Sequence, residues 1–432
     1  MERVVVRGGR LIDPAAGIDG LYDVVVMGGR VASVRPAGAG EAGGEGWLEV
    51  DASGKVVAPG LVDLHTHLRE PGQEYKETIR SGAEAAAAGG FTTILCMANT
   101  DPVNDNASVT RHIAKKAAGA PARVLPVGAV TVGLRGERLT EMAEMREAGC
   151  AAFSDDGVPV ACGSVMRRAL EYARICDAVV ISHADDTTLS ASGVMNEGAV
   201  ATRLGLRGIP NAAEDAMTAR DIALAELTGA RLHLAHVSTA GSVELIRAAK
   251  ARGVNVTAEA TPHHLTLTDE AVEERGAMAK MAPPLRTRRD VEALRRGLAD
   301  GTIDCVATDH APHSPMDKDV EFELAANGVV GLETALALVL RLVDEGVLSL
   351  SDALAAMTSR PAAALGLDCG TLAVGSRADL AVIDLERTWT VEPDRFRSRG
   401  RNTPFAGMEL RGAVTLTMLE GKVVYRRGGE AP

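Results

Sequence analysis

The stretch VVAPGLVDLHTHLREPG, residues 56–72, decides how this chain is read. An apolar run leads into His65 and His67, with Thr66 between them and Arg69-Glu70 just beyond. Side chains alternate along a strand, so the two imidazoles share a face about 7 Å apart and Thr66 opposes them. Two hydrogen-bonded histidines at a strand end would look the same, and a His-x-His pair alone is a short motif with many accidental matches. Only the rest of the chain can separate a metal site from coincidence.

Outward from this stretch, short apolar segments alternate with Ala-rich or amphipathic ones, which is the pattern of β/α units and a parallel sheet. Eight segments read as strands: VVAPGLVDL from 56, TTILCM from 92, RVLPVGAV from 123, AAFS from 151, AVVIS from 178, RLHLA from 231, VNVTAE from 254 and IDCVAT from 303. Segments such as KETIRSGAEAAAAGG and SVELIRAAKARG lie between them and end in Gly, as helices do. Eight parallel strands predict an α/β fold of the (β/α)8 TIM-barrel type. The ends differ. VVVRGGRLID and DVVVMGGRVASV near the start, and ADLAVIDL and AVTLTMLEGKVVYRRG near the end, are β-branched runs with Gly-rich turns. They predict a small β-sandwich domain built from both chain termini, residues 1–55 and 369–432, around a barrel of residues 56–368. GAGEAGGEG, residues 38–46, reads as a loop within the first part.

Composition narrows the function. With 46% hydrophobic and 24% charged residues, the 432-residue chain is of globular type, long enough for one large domain and a smaller one. Aromatics are scarce at 3%, so no platform for stacking bases is expected, and a net charge of −12 without a basic run argues against a nucleic-acid partner. RTRRD at 286–290 is too short a cluster to change that reading. No apolar segment reaches the roughly 18 to 20 residues of a membrane span, and MERVVVRGG lacks the layout of a signal peptide. A cytoplasmic protein is expected. The cysteines Cys96, Cys150, Cys162, Cys176, Cys305 and Cys369 show no Cys-x-x-Cys spacing and mostly sit in apolar runs, as small hydrophobes of a reducing compartment.

In a β/α barrel the chemistry lies at the C-terminal ends of the strands. His65 and His67 end the first, SDDG with Asp155 and Asp156 follows the fourth, His183 ends the fifth, His236 the sixth, and Asp309 in TDHAPH the eighth. Four imidazoles and at least two carboxylates would converge at one mouth, a nitrogen and oxygen donor set suited to zinc. One tetrahedral ion needs fewer ligands, whereas two Zn2+ sharing a carboxylate use them all and leave room for water. His112 lies in a predicted helix and His233 precedes His236 on its own strand, so neither is placed in the site. His263 and His264 in TPHHL follow the seventh strand, where a structural hydrogen-bonding role suffices.

At this point a family resemblance is visible. GLVDLHTHLREPG, MANTDP, FSDDG, LHLAHVSTAGS, TPHHL, CVATDHAPH and GSRADLAVIDL, in this order over most of the chain, resemble the dihydroorotases of the long bacterial type, within the amidohydrolase superfamily. The resemblance implies the barrel-plus-sandwich fold. It also implies reversible cyclisation of N-carbamoyl-L-aspartate to L-dihydroorotate plus water, in pyrimidine biosynthesis, by a binuclear zinc hydroxide mechanism. By motif, His65, His67, Asp156, His183, His236 and Asp309 correspond to the metal ligands, and Asp309 to the catalytic proton shuttle as well. His67, Arg69, Asn99, His313, Asn327 and Gly328 correspond to substrate-binding positions. Many relatives bridge their metals with a carboxylated lysine, but no lysine occurs here between Lys116 and Lys250, so a carboxylate must bridge. Spacing alone leaves Asp155 and Asp156 open; the family's separation from the strand-five histidine favours Asp156. Relatives usually carry Asn in the segment that reads KMAPPLR here, where Ala282 offers no polar side chain.

Arg69 is expected to take the substrate carboxylate bidentately; the plainer alternative is a rim ion pair with Glu70 or Glu74. The expected partner is a small-molecule substrate, with a homodimer and association with aspartate transcarbamoylase as further expectations. The competing functions are another cyclic amidase, such as a hydantoinase, dihydropyrimidinase or allantoinase, and a non-catalytic dihydroorotase-like partner of aspartate transcarbamoylase. The absent bridging lysine argues against the first. The complete donor set argues against the second.

Overall fold

The computed structural model describes residues 3–39 and 43–429; of the loop 38–46, residues 40–42 lie outside the described residues. Its centre is a parallel sheet of eight strands in sequence order: Leu61–Thr66, Phe91–Cys96, Arg123–Gly128, Ala152–Phe153, Val179–Ser182, Arg231–Leu234, Val256–Ala260 and Cys305–Val306. Each pairs in parallel with the next, and helices such as Ile79–Ala88, Gly163–Ile175, Asn211–Thr228 and Ala240–Ala251 cover the outside. The first and eighth strands meet through a single bridge, Thr66 to His310, so the barrel is nearly closed. The expected (β/α)8 architecture is present, including the short fourth strand.

The run from Val56 is not one strand. Val56–Pro59 pairs antiparallel with Leu380–Thr390 and parallel with Arg3–Asp13, while Leu61–Thr66 enters the barrel. Gly60 divides them, and a Cβ there would lie 2.1 Å from the Thr92 hydroxyl, so the chain changes sheets where only Gly fits. Both halves are buried throughout, which is why the apolar pattern shows no break.

The second sheet joins both termini in the order Lys422–Arg426, Glu409–Leu419, Leu380–Thr390, Val56–Pro59, Arg3–Asp13, Ile18–Met27 and Arg30–Pro36, with Leu48–Asp51 also on Arg3–Asp13. A bulge between Val6 and Gly9 lets the two halves of Arg3–Asp13 take different parallel partners, Leu48–Asp51 and then Val56–Pro59. Val4, Val6, Leu11 and Val57 from one end of the chain pack with Leu380, Val382 and Met418 from the other. Among the described residues no helix is long and apolar enough to cross a membrane. The cysteines are unpaired; Cys96, Cys150 and Cys305 are buried as expected, but Cys162 is exposed, just before the helix Gly163–Ile175.

Candidate active site

Every residue expected in the donor set sits at the C-terminal mouth of the barrel. His65 and His67 project from the end of the first strand, and each is held by its Nδ1. The His65 Nδ1–H donates to Glu259 Oε1 at 2.9 Å, and the His67 Nδ1–H donates to Asn99 Oδ1 at 2.9 Å. With Nδ1 protonated, each Nε2 presents a lone pair inward. Those lone pairs meet carboxylates: His65 Nε2 lies 3.3 Å from Asp156 Oδ1 and 3.6 Å from Asp309 Oδ1. His67 Nε2 lies 3.3 Å from Asp156 Oδ2 and 3.1 Å from Asp309 Oδ1.

On the other side of Asp156 are His183 and His236. His183 Nδ1 and His236 Nε2 lie 3.5 and 3.4 Å from Asp156 Oδ1, and 2.8 Å from each other. Asp156 therefore touches all four imidazoles, with Asp309 on one side and the His183–His236 pair on the other. Asp155 turns away, accepting hydrogen bonds from Val130 N, Thr131 N and the Thr131 hydroxyl. The geometry separates the two aspartates where spacing could not.

Acceptors facing acceptors in a buried site require a cation between them. His65 Nε2 and Asp156 Oδ1 are buried and have no hydrogen-bond partner in the structure. One ligand atom from each of His65, Asp156 and His236, and likewise from each of His65, His67 and Asp309, lies within 4.8 Å of the others. The donor set thus fits divalent metal. Burial pushes both Asp156 and Asp309 up, but the surrounding imidazoles outweigh it and hold both carboxyls below the usual range. Burial also opposes charge on His65, yet Asp156 and Asp309 raise its pKa well above that of an ordinary imidazole.

Arg69, His236 and Asp309 have φ of 61°, 33° and 47°, left-handed backbone that non-glycine residues adopt at a cost. All three turn inward just past a strand end. Arg69 is half-buried, the loss of solvent around its guanidinium lowers its pKa, and its Nε donates to Pro312 O at 3.2 Å. Neither Glu70 nor Glu74 pairs with it: Glu70 takes Lys116 at 3.0 Å and the Ile79 N–H. The rim ion-pair alternative is therefore not what the structure contains. Burial and the Arg69 charge push His313 down to about 3, so the ring is neutral; its Nε2–H donates to Asn327 O at 2.7 Å, and its buried Nδ1 lacks a partner. Because Nε2 carries that proton, the Arg69 Nη2 at 3.3 Å abuts it rather than bonding to it. Gly328 has φ +129°, and a Cβ there would meet Ala311 Cβ at 2.6 Å and His313 Nε2 at 3.2 Å. Arg69, His313, Asn327 and Gly328 thus form one wall beside the donor set, with Asn99 attached through His67.

The main residue that sequence reading missed is Glu259, on the seventh strand. It is fully buried, accepts from His65 Nδ1 and from His233 Nε2 at 3.0 Å, and is held down to about 2 because these hydrogen bonds outweigh burial. His233 stands behind the donor set, joined to it through Glu259. His264 is structural as well, donating to Pro283 O and accepting from Thr261, and His112 is exposed on its helix.

Comparison with known proteins bears on identity. Residues 54–242 match the family model described as Dihydro-orotase-like. A dihydroorotase of Syntrophotalea carbinolica is 56% identical, covering 98% of this chain and 99% of its own length, and one of Geobacter metallireducens is 55% identical, covering 98% and 100%. Among solved structures, the L-hydantoinase (dihydropyrimidinase) of Arthrobacter aurescens superimposes with a TM-score of 0.90 at 30% identity, covering 100% of this chain and 98% of that one. That likeness places the barrel and terminal sheet among cyclic amide hydrolases, and the far higher identity to the curated relatives is the more specific finding. With more than half its residues shared along nearly the whole of both lengths, the chain belongs to the dihydroorotase family.

Proposed function

We propose that the chain interconverts N-carbamoyl-L-aspartate and L-dihydroorotate plus water at a pair of zinc ions. The observation that carries this is the partnerless, inward-facing His65 Nε2 and Asp156 Oδ1 within a ring of four imidazoles and two carboxylates. His65, His67 and Asp309 would hold one ion, His183 and His236 the other, and Asp156 would bridge. Bound there, the metals supply Lewis acidity, which lowers the pKa of the attacking water and polarises the ring carbonyl.

The chain's own groups do the rest. In hydrolysis the water oxygen bonds to the ring amide carbon, the C–N bond breaks, and one proton passes from the water to the ring nitrogen. Asp309 carries that proton: its carboxyl is ionised at neutral pH and ready to accept, and its Oδ1 lies beside both first-strand histidines. Ring closure runs the same path backward and starts from protonated Asp309. Arg69 takes the substrate carboxylate; with Nε anchored on Pro312 O, its terminal nitrogens keep a fixed plane for a bidentate contact. Asn99 and His313 flank it. Asn99 gives its oxygen to His67, which leaves its amide N–H groups for substrate.

The test is turnover of dihydroorotate, dihydrouracil, hydantoin and allantoin by metal-replete protein, with elemental analysis. Turnover confined to dihydroorotate with about two zinc ions per chain is expected. Preference for a ring without a carboxylate would make the chain a different cyclic amidase. Inactivity on all four with metals bound would make it a non-catalytic relative.

A further inference from the structure

Lys318 occupies an unusual place. It ends a one-turn helix, Pro315–Lys318, in a segment rich in charge, yet its side chain is among the most deeply buried large ones. No carboxylate among the described residues lies within ion-pair distance of it. Instead its Nζ donates to three carbonyls: Lys280 O at 3.1 Å, Ala326 O at 2.8 Å and Gly328 O at 3.0 Å. An ammonium has three N–H donors, one for each. Burial and the neighbouring Lys280 charge push this amine down to about 7, against a smaller upward pull from Asp317, so charge at this position is costly.

The three carbonyls join two loops. Lys280 lies in the connection between the seventh strand and the helix Arg288–Asp300, while Ala326 and Gly328 lie in the loop after the eighth strand. Gly328 N also donates to Lys280 O at 3.0 Å, and Lys280 Nζ reaches back to Phe322 O at 2.7 Å and Glu323 O at 2.9 Å. From the opposite side, Asn402 of the C-terminal segment donates to Ala311 O and Gly328 O and accepts from His313 N. The Gly328 carbonyl therefore sits between Lys318 and Asn402, next to the Asn327 carbonyl that fixes the His313 ring.

We propose that Lys318 is a positioning residue for substrate binding, setting the Asn327–Gly328 backbone and the His313 ring against the substrate from outside the pocket. The inference rests on the dihydroorotate reading above. Lys318 makes no hydrogen bond or ion pair with the proposed metal ligands or with Arg69, so its loss changes how tightly the substrate is held and leaves the reacting groups in place. The neighbouring Ala282 brings no polar side-chain atom of its own, so the stitch between the two loops depends on the lysines and backbone.

The experiment compares wild type with Lys318→Met for KM and kcat on dihydroorotate, together with metal content and melting temperature. KM is expected to rise about tenfold with kcat within about threefold, because a charge-assisted tie to the binding loop is lost while the groups acting on the transition state remain. Metal content should stay at the wild-type value. If Lys318→Met does not accumulate as folded protein, Lys318→Gln, which keeps two N–H donors on a chain of similar length, carries the test with a smaller rise in KM. An unchanged KM, or kcat and metal content falling together with KM unmoved, overturns the inference while leaving the dihydroorotate reading intact. A wild type inactive on dihydroorotate overturns that reading and this inference with it.

Discussion

Replacing Glu259 tests whether the proposed metal centre is built from behind. Its two oxygens accept from His65 Nδ1 at 2.9 Å and His233 Nε2 at 3.0 Å, with no exposure to solvent. Glu259→Gln keeps the shape but turns one oxygen into a donor. His233 can accommodate this by changing tautomer, since its Nδ1 faces the Thr257 hydroxyl, which can either donate or accept. The Gln oxygen then still receives His65, but as a neutral acceptor. The difference between a charge-assisted and a neutral hydrogen bond is about 1–1.5 kcal/mol, or about tenfold in metal affinity. Glu259→Leu removes the acceptor altogether and should cost about a hundredfold, the upper end for such supporting carboxylates. Chelator competition with zinc reads the affinity, and kcat at saturating zinc should change less. Acid stability provides a second readout. Because the folded carboxyl is depressed from 4.5 to about 2, its stabilisation is complete above pH 4.5 and is lost as pH falls toward 2. Wild type should weaken through that window, and Glu259→Gln should lack that component. If both variants hold zinc as tightly as wild type, Glu259 does not orient His65 and the construction of the site described here is wrong.

Asp156→Ala should lose metal, whereas Asp155→Ala should keep it and instead unfold more readily by about 2–3 kcal/mol, since three buried donors lose their acceptor; metal analysis and urea melts separate the two. Arg69→Met should raise KM for dihydroorotate at least about tenfold and barely alter any turnover of dihydrouracil, which has no carboxylate; equal losses on both would assign Arg69 to structure. Asp309→Asn should lower both directions by about 10²–10⁴-fold. In wild type, hydrolysis should rise toward alkaline pH and ring closure toward acid, since the two directions need opposite protonation states of this carboxyl. Near-normal rates in the variant would send the proton by another route.

The strand ends were legible because a barrel repeats a simple rule: an apolar run, then whatever follows it faces the mouth. His65, His67, His183, His236 and Asp309 all obey it. Asp155 and Asp156 do not yield to it, because adjacent residues in a turn can face either way and the choice depends on the Val130–Thr131 backbone, distant in sequence. Glu259 carried a signal that could have been used. In Val256–Ala260 a carboxylate sits inside a strand buried on both faces, and the neighbouring strand places His233 opposite Thr257. A charge in such a strand needs a partner, and two imidazoles were available. Lys318 carried no signal, since SPMDKDVEFE reads as solvated surface and only the meeting of two loops buries the amine. Nor did Gly60 mark a change of sheet, because both strands it separates are equally apolar.

The closure of the barrel and the shape of the donor set rest on the same hydrogen bonds. The first and eighth strands form no regular ladder. Asp63 spans the gap, its Oδ1 accepting from His65 N on its own strand and from Thr308 N on the other, both at 3.0 Å. Above it, the His67 N–H donates to His310 O at 2.8 Å. These bonds fix the backbone directly beneath His65 and directly beside Asp309, the two residues that approach within 3.6 Å across the seam. Burial pushes the Asp63 carboxyl up to about 7, and its second oxygen has no partner, so the fold keeps an expensive group where a ladder of backbone bonds would be cheaper. A regular ladder would carry the eighth strand straight past the site. Ending it at Val306 and tying it by a side chain frees residues 307–309 to turn inward, through the left-handed backbone of Asp309, and bring a carboxylate over the first-strand histidines. The irregular seam is therefore the structural condition for an acid on the last strand to face the His65–His67 pair on the first.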